Sequence, residues 1–431
     1  MRYEPLEKYI KLSQGLAVNK GNAYLFSQTQ SSQFPYPLLR IVDLENNNHT
    51  VYSRYVSKDA SKSVIATKET IMFSRVTCQC FKGFEGVMHN NLFSVELLPN
   101  VDISKDYLYV ALNSEFVKSQ AMRFTSSSVV PDLTHNMFKQ IRIPIFDSST
   151  QKRIVHLYNS INKKIQTNNS TLNVLESMAK TIYDYWFLQF EFPNEDGKPY
   201  KSSGGKMVWN EELKREIPEG WKCDNIASLI SNEKGGDWGK ESLTNNYSVN
   251  VYCIRGADFP ASTGCKDMNA PERWILEKNK WKELEYGDIL VEISGGSPTQ
   301  STGRVCYVNN NYLQRFNKPV ITSNFCRALS LKTPDYYSWF YLMWKTLYEN
   351  DLFFNYEGKT TGLKNLLFDT AVNEIKIPLP EKRILDKFVE KINPFYENIQ
   401  FCCQQNKELA SLRDFLLPML MNGQVTFKED E

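Results

Sequence analysis

The chain has 431 residues, of which 42% are apolar and 23% charged, and a formal charge of +2. It has no run of 18 apolar residues to cross a bilayer, and its near-neutral charge does not by itself announce a nucleic-acid binder. Nine cysteines in a long chain whose Met1-Arg2-Tyr3-Glu4-Pro5 start lacks a signal-peptide stretch argue against a disulfide framework and for a cytoplasmic location.

At roughly 100–200 residues per domain, this length predicts two or three domains. Residues 1–150 read as a mixed domain, with strands over 64–75 and 93–98 and a helix over 107–124. Cys78-x-Cys80 and Cys402-Cys403 are too close for a zinc knuckle and the four histidines are scattered, so no structural metal is expected.

From residue 151 the pattern changes. Ile154, Tyr158, Ile161, Ile165, Asn168, Leu172, Leu175, Ala179, Ile182 and Trp186 step by 4 and 3 without a miss, the seam of a coiled coil. A helix of that length would make a rod of about 55 Å at about 1.5 Å per residue. The first helical region is thus 151–192, and the Gly-, Ser- and Pro-rich 193–220 reads as a linker.

Residues 221–380 repeat the mixed character, with turn-rich stretches at Ser294–Pro298 and Glu357–Gly362. A second stripe over 381–423 uses Phe388, Ile392, Phe395, Ile399 and Cys402, then Leu409, Leu412, Leu416 and Met419, its register slipping near Gln405-Asn406. It stops at Asn422-Gly423, and 424–431 is a tail. Asn393-Pro394 is read as a helix cap followed by a first-turn proline.

The two halves repeat each other. Ile141-Arg142-Ile143-Pro144 returns as Ile375-Lys376-Ile377-Pro378 after 234 positions, Lys152-Arg153-Ile154 as Lys382-Arg383-Ile384 after 230, and Leu172-x-x-Leu175 as Leu409-x-x-Leu412 after 237. Self-similarity at this scale fixes an architecture. The expected fold class is α+β: two mixed α/β domains separated by an antiparallel two-helix coiled coil, with a pseudo-two-fold internal repeat. Asn168 and Asn406 would be polar register markers in its seam. The alternative is that each helix packs on its own domain as an ordinary amphipathic helix.

Catalytic signatures are missing. Gly358-Lys359-Thr360 ends like a P-loop, but Phe353 stands where its first glycine belongs, and in Gly235–Lys240 the position after the lysine is Glu241 rather than Ser or Thr. Asn393-Pro394-Phe395-Tyr396 lacks the second proline of the amino-group methyltransferase loop, and there is no G-x-G-x-x-G after a strand, no G-x-S-x-G and no H-E-x-x-H.

The stretch Ile182-Tyr183-Asp184-Tyr185-Trp186-Phe187, Phe192-Pro193, Gly197-Lys198-Pro199-Tyr200, Gly204-Gly205-Lys206-Met207-Val208 and Glu216-Ile217-Pro218-Glu219-Gly220-Trp221 resembles the specificity subunits of type I restriction-modification systems. The closing Leu409-x-x-Leu412-Arg413-Asp414-x-Leu416-Leu417-Pro418-x-Leu420-x-x-Gly423 is similar to that family's C-terminal motif.

The resemblance implies a noncatalytic subunit that reads a bipartite double-stranded DNA target, one recognition domain per half-site. It implies docking of two methyltransferase subunits and, in the full complex, restriction subunits, with no membrane partner. No cofactor would bind this chain; S-adenosylmethionine, ATP and magnesium would belong to the partners. Half-sites one DNA turn apart, about 34 Å, lie within the span of such a rod. The readings set against this are a coiled-coil adaptor with protein-binding domains and a degenerate DNA methyltransferase or nuclease.

Base reading needs polar side chains on loops that can enter a groove. The candidates in the first half are Ser74, Arg75, Thr77, Gln79 and Lys82, then Arg123, Ser126, Ser127 and His135. In the second half they are Ser294, Ser297, Thr299, Gln300, Ser301 and Arg304, with Lys359, Thr360, Thr361 and Lys364. No loop of the first half matches Gly295 to Gly303 in sequence.

Overall fold

The structure, a computed structural model, describes residues 2–45, 52–59, 65–125, 132–264, 268–295, 300–359 and 363–427. Two compact units divide the chain: Met1–Lys163 with Leu409–Glu431, and Lys164–Glu408. Each unit therefore contains one of the repeated mixed domains and a stretch of both long helices, Ser148–Tyr183 and Lys382–Met421.

In the first unit the repeated frame is built from β1 (Arg2–Pro5), β2 (Ile10–Gln14), β3 (Tyr36–Leu39), β4 (Ile71–Ser74), β5 (Cys80–Phe81), β6 (Gly86–Met88), β7 (Leu92–Leu97) and β8 (Arg142–Ile145). In the second its counterparts are β9 (Lys222–Asn225), β10 (Ile230–Gly235), β11 (Tyr247–Ile254), β12 (Ile289–Glu292), β13 (Val305–Tyr307), β14 (Val320–Thr322), β15 (Cys326–Leu331) and β16 (Lys376–Leu379).

The repeat read from the sequence is a repeat of topology. An antiparallel sheet of order β2-β7-β4-β5 in the first unit returns as β10-β15-β12-β13 in the second. In both units the first and last strands of this frame pair antiparallel, β1 with β8 and β9 with β16. A parallel pair sits beside each sheet, β3 with β6 and β11 with β14. The repeated isoleucines do the same job twice: the Ile141 carbonyl accepts from Leu6 N–H at 2.9 Å, and the Ile375 carbonyl from Ile226 N–H at 3.3 Å.

Both sheets bury an apolar face. Ile71, Phe73, Phe93, Val95, Tyr107 and Phe138 form the first core, together with Ile154 of the first long helix and Leu417 and Met421 of the second. Ile289, Val291, Leu329, Tyr337, Phe340 and Trp344 form the second, together with Leu172, Ala179 and Tyr183 of the first helix and Phe388, Ile392 and Ile399 of the second. Burying such side chains stabilises by roughly 1.5–3 kcal/mol each.

The two helices pack antiparallel in the second unit. Asn168 bonds to Asn406 while, further along, Phe187 meets Phe388 edge-on at 4.8 Å. In the first unit Arg413 donates to Asn162 at 3.0 Å. The heptad positions from Ile154 to Trp186 are all buried or half-buried, as the stripe requires. Among the described residues no helix is long and apolar enough to cross a membrane.

Several local expectations differ from what forms. The strand expected over 64–75 is interrupted by a turn in which Thr70 N–H bonds Thr67 O at 2.8 Å and Thr67 N–H bonds Thr70 Oγ1 at 2.9 Å. The helix expected over 107–124 is two, Lys105–Leu112 and Glu115–Thr125, parted at Ser114, whose hydroxyl donates to Ala111 O at 2.6 Å. Asn393-Pro394 starts no helix. It lies inside Lys382–Met421, where buried Ile392 and Tyr396 hold the backbone on course and Asn393 Nδ2 is tied to Asp335 O at 2.9 Å.

The stretch 193–220 contains an ordered hairpin, Met207–Asn210 with Arg215–Pro218, pinned by Phe192 stacking on Tyr200 at 4.6 Å and on Trp221 at 5.4 Å. In the second stripe Leu412 is 46% exposed, and it is Leu417, Leu420 and Met421 that turn inward.

Candidate nucleic-acid interface

The β4–β5 connection of the first unit and the β12–β13 connection of the second occupy corresponding places in two sheets of the same strand order. The first is five residues long, 75–79, and the second twelve, 293–304. Each is anchored on the connection before the neighbouring long strand: Arg75 N–H donates to Asn91 O at 3.1 Å, and Ile293 N–H to Phe325 O at 2.9 Å. Most of the sequence-derived candidates gather on or beside these two hairpins.

In the first hairpin Ser74 is fully buried and shapes the turn. Its Oγ accepts from Thr77 N–H at 3.0 Å, and its N–H donates to Gln79 O at 2.8 Å. Arg75 forks onto Asp132 through Nε at 2.5 Å and Nη2 at 2.7 Å, a geometry that fixes the guanidinium plane. Thr77 Oγ1 donates to Gln79 Oε1 at 3.4 Å. Lys82 stands between Asp106 at 3.0 Å and Glu69 at 3.2 Å.

His135 opens the short helix His135–Gln140, its ring edge-on to Phe93 at 5.0 Å. Its Nε2 is buried without a partner. Burial first, then Arg75 and Lys139, push its pKa below the ordinary 6.5. Arg123 is exposed near the end of Glu115–Thr125, and Ser126 and Ser127 lie outside the described residues.

In the second hairpin Ser294 and Gly295 pair with Asn365 and Lys364, and Ser294 Oγ donates to Asn365 Oδ1 at 2.7 Å. Ser301 is buried, its carbonyl accepting from Tyr348 Oη at 3.3 Å, and Gln300 is exposed. Arg304 forks onto the buried Glu292, Nε at 2.7 Å and Nη2 at 2.5 Å. Lys364 reaches Glu357 at 3.0 Å and lies over the Phe354 ring at 4.9 Å. Lys359 is placed opposite Lys364 in a strand pair. Ser297, Thr299, Thr360 and Thr361 lie outside the described residues.

The structure thus gathers Arg75, Thr77, Gln79 and His135 at one site, and Ser294, Arg304 and Lys364 at its counterpart. It adds the carboxylates Asp132, Glu292 and Glu357, which hold the cations in fixed directions. Such clusters can offer oriented donors to base edges or phosphate oxygens.

One further duplication lies outside those candidates. Arg40-x-x-Asp43 follows β3 and Arg255-x-x-Asp258 follows β11, each pair 215 positions apart. In both, the arginine forks onto the aspartate with Nε and Nη2. The shared offset was the available signal, hidden because no other residue between Arg40 and Asp43 recurs.

Comparison with known proteins agrees with this layout. The family model described as type I restriction modification DNA specificity domain matches residues 8–177 and again 218–411. The chain is 24% identical over 413 residues to the type I restriction enzyme MjaIX specificity subunit of Methanocaldococcus jannaschii, covering 91% of this chain and 87% of that protein. It is 22% identical over 370 residues to the HindI specificity subunit of Haemophilus influenzae, covering 76% and 79%. The crystal structure of the type I restriction-modification system S subunit from M. genitalium has the same fold, with a TM-score of 0.56 at 14% identity over 99% of this chain and 96% of that one.

Proposed function

The chain belongs to the type I restriction modification DNA specificity family, and from that premise we propose that it is a noncatalytic subunit reading a bipartite double-stranded DNA target, one mixed domain per half-site. The observation that carries this reading is the pair of hairpins: corresponding places in two sheets of the same strand order, filled by five residues in one unit and twelve in the other. A shared frame with unlike tips suits two half-sites of unlike sequence.

In the proposal Arg75, Thr77, Gln79 and His135 serve the first half-site, and Ser294, Gln300, Arg304 and Lys364 the second. Arginine suits this role because its planar fork matches the O6 and N7 acceptors of guanine. Partner enzymes dock on the long helices and bring the chemistry, using S-adenosylmethionine for methylation and ATP with magnesium for restriction. Exposed apolar side chains on those helices support such docking. Val174, Met178 and Phe401 lie in the second unit, Leu412 and Phe415 in the first, and Phe415 is 63% exposed.

Methylome sequencing of a host expressing the chain with a methyltransferase partner tests the reading. A split recognition sequence is the expected result. Methylation without sequence preference, or none, would defeat it.

A further inference from the structure

The two Arg-x-x-Asp clips share three hydrogen bonds, and Arg255 alone adds a fourth, from Nη2 to Asn269 O at 2.9 Å. Arg40 donates to Asp43 through its backbone N–H at 3.1 Å, Nε at 2.9 Å and Nη2 at 2.9 Å. Arg255 donates to Asp258 through the same three groups at 2.9, 3.0 and 3.0 Å. Each aspartate is buried, and each arginine side chain is 38% exposed. Both clips follow the strand that runs parallel to its neighbour, and the next residue of that neighbour closes the pair: His89 N–H to Leu39 O at 3.0 Å, Ser323 N–H to Ile254 O at 2.8 Å.

The clip of the second unit borders its hairpin cluster. A methyl group on Gly256 would stand 2.3 Å from Glu292 Oε1 and 3.2 Å from Arg304 Nη2. In the first unit Arg40, with Arg54, acts on the His89 imidazole behind the larger effect of burial, and His89 begins the connection that anchors Arg75.

Parts that read unlike half-sites must themselves differ, whereas parts that are the same can read only what every half-site shares. The hairpins differ, whereas the clips share the same three Arg–Asp bonds. Every stretch of duplex shares the phosphate backbone, and contacts to it set register without carrying sequence. A guanidinium already held by a carboxylate loses little freedom on meeting a phosphate oxygen. Arg40 Nη1 and Arg255 Nη1 make no hydrogen bond among the described residues.

We infer that Arg40 and Arg255 are equivalent phosphate clamps, one in each unit, that set each recognition domain on the DNA backbone while the hairpins read bases. This rests on the DNA-reading function proposed above.

The test uses the full chain assembled with its methyltransferase partner and the duplex found by methylome sequencing. Binding is followed by fluorescence anisotropy across a series of salt concentrations. Arg40→Gln and Arg255→Gln should each lower the slope of log affinity against log salt by about 0.9, and the double variant by about twice that. Affinity for cognate and scrambled duplexes should fall by the same factor, and Arg→Lys at either position should keep the slope.

A folded, assembled Gln variant with an unchanged slope, or with an altered base preference at one half-site, would overturn the inference. Should the Gln variants fail to assemble, the unsubstituted complex decides. Neutral methylphosphonate placed at each backbone position in turn should find one sensitive phosphate at the corresponding place in each half-site, and the lack of such a pair would overturn the inference. An unsubstituted complex that prefers no bipartite duplex is a separate result and counts against the proposed function itself.

Discussion

Asn168 donates through Nδ2 to Asn406 Oδ1 at 2.8 Å, joining the two long helices inside the second unit where both residues are buried. Gln405 Oε1 accepts from the same nitrogen at 2.9 Å, and Asn406 Nδ2 donates to Asn169 Oδ1 at 2.9 Å, so both amides are matched across the seam. A polar layer of this kind costs stability relative to an apolar one but penalises every shifted register. Asn406→Ala should therefore cost about 1–3 kcal/mol by stranding part of Asn168. The pair Asn168→Leu with Asn406→Leu should recover most of that loss. Denaturant unfolding followed by helical circular dichroism checks both, and a neutral Asn406→Ala would contradict the layer's role.

Two glycines mark a close approach that recurs in the repeat. A Cβ on Gly15 would stand 2.2 Å from His89 O, and one on Gly236 would stand 1.9 Å from Ser323 O. Neither has a left-handed backbone, so the demand is for space alone. Next to them Leu16 N–H bonds Met88 O at 2.7 Å and Asp237 N–H bonds Thr322 O at 2.9 Å, which a displaced chain would lengthen. Gly15→Ala and Gly236→Ala should each destabilise their own unit by about 1–3 kcal/mol through overpacking. Unchanged melting in both variants would mean that the strands do not pass this closely.

The repeat and the first helical stripe were legible because both depend on short-range pattern: Ile141 and Ile375 recur with their neighbours, and apolar residues at 4,3 spacing must face a partner. Beyond Asn406 the second stripe holds at Leu409, Leu416 and Met419, which are half-buried, and fails at Leu412, which is exposed. There the helix joins the core of the first unit, and Leu417 rather than Leu412 meets Tyr107 and its neighbours. Pro394 looked like a helix start because its local preference is for first turns, and tertiary packing of Ile392 and Tyr396 overrode it. The site was half-legible. Polar hairpin residues announce themselves, but Asp132 lies 57 positions from Arg75, and no spacing rule joins them. The equivalence of the two hairpins was hidden because it rests on strand order, which the differing lengths of 75–79 and 293–304 disguise.

The pH response should differ between the units. All four histidines fall in 1–163, and 164–408 has none. In the first unit burial, then Arg75 and Lys139, lower the pKa of His135, and burial, then Arg40 and Arg54, lower that of His89. A histidine whose folded pKa lies below its ordinary 6.5 is protonated first in the unfolded chain, so stability is full above that value and falls as pH drops through it. The melting midpoint of the first unit should decline between about pH 7 and 6 while the second stays flat, and His135→Gln should make the decline shallower. Equal responses in both units would show that these two imidazoles do not govern it.

Because Arg75 and Arg304 sit on hairpins in separate units, substituting one should alter one half-site only. Arg75→Ala removes a guanidinium from a pair whose Asp132 is half exposed, so its cost to stability should be small. Any large effect then belongs to recognition, at about 1–3 kcal/mol for a lost bidentate base contact. Arg304 needs a different variant, since Arg304→Ala alone would leave the Glu292 carboxylate, 7% exposed, without its partner. Arg304→Gln combined with Glu292→Gln removes both charges and keeps two amides able to bond each other. Methylome sequencing of hosts expressing each variant should show relaxed preference confined to the first half-site for Arg75→Ala and to the second for the double variant. Relaxation of both half-sites by either one would mean that these side chains hold the assembly together rather than read its target, because a contact made within one unit has no other route to the bases read by the second.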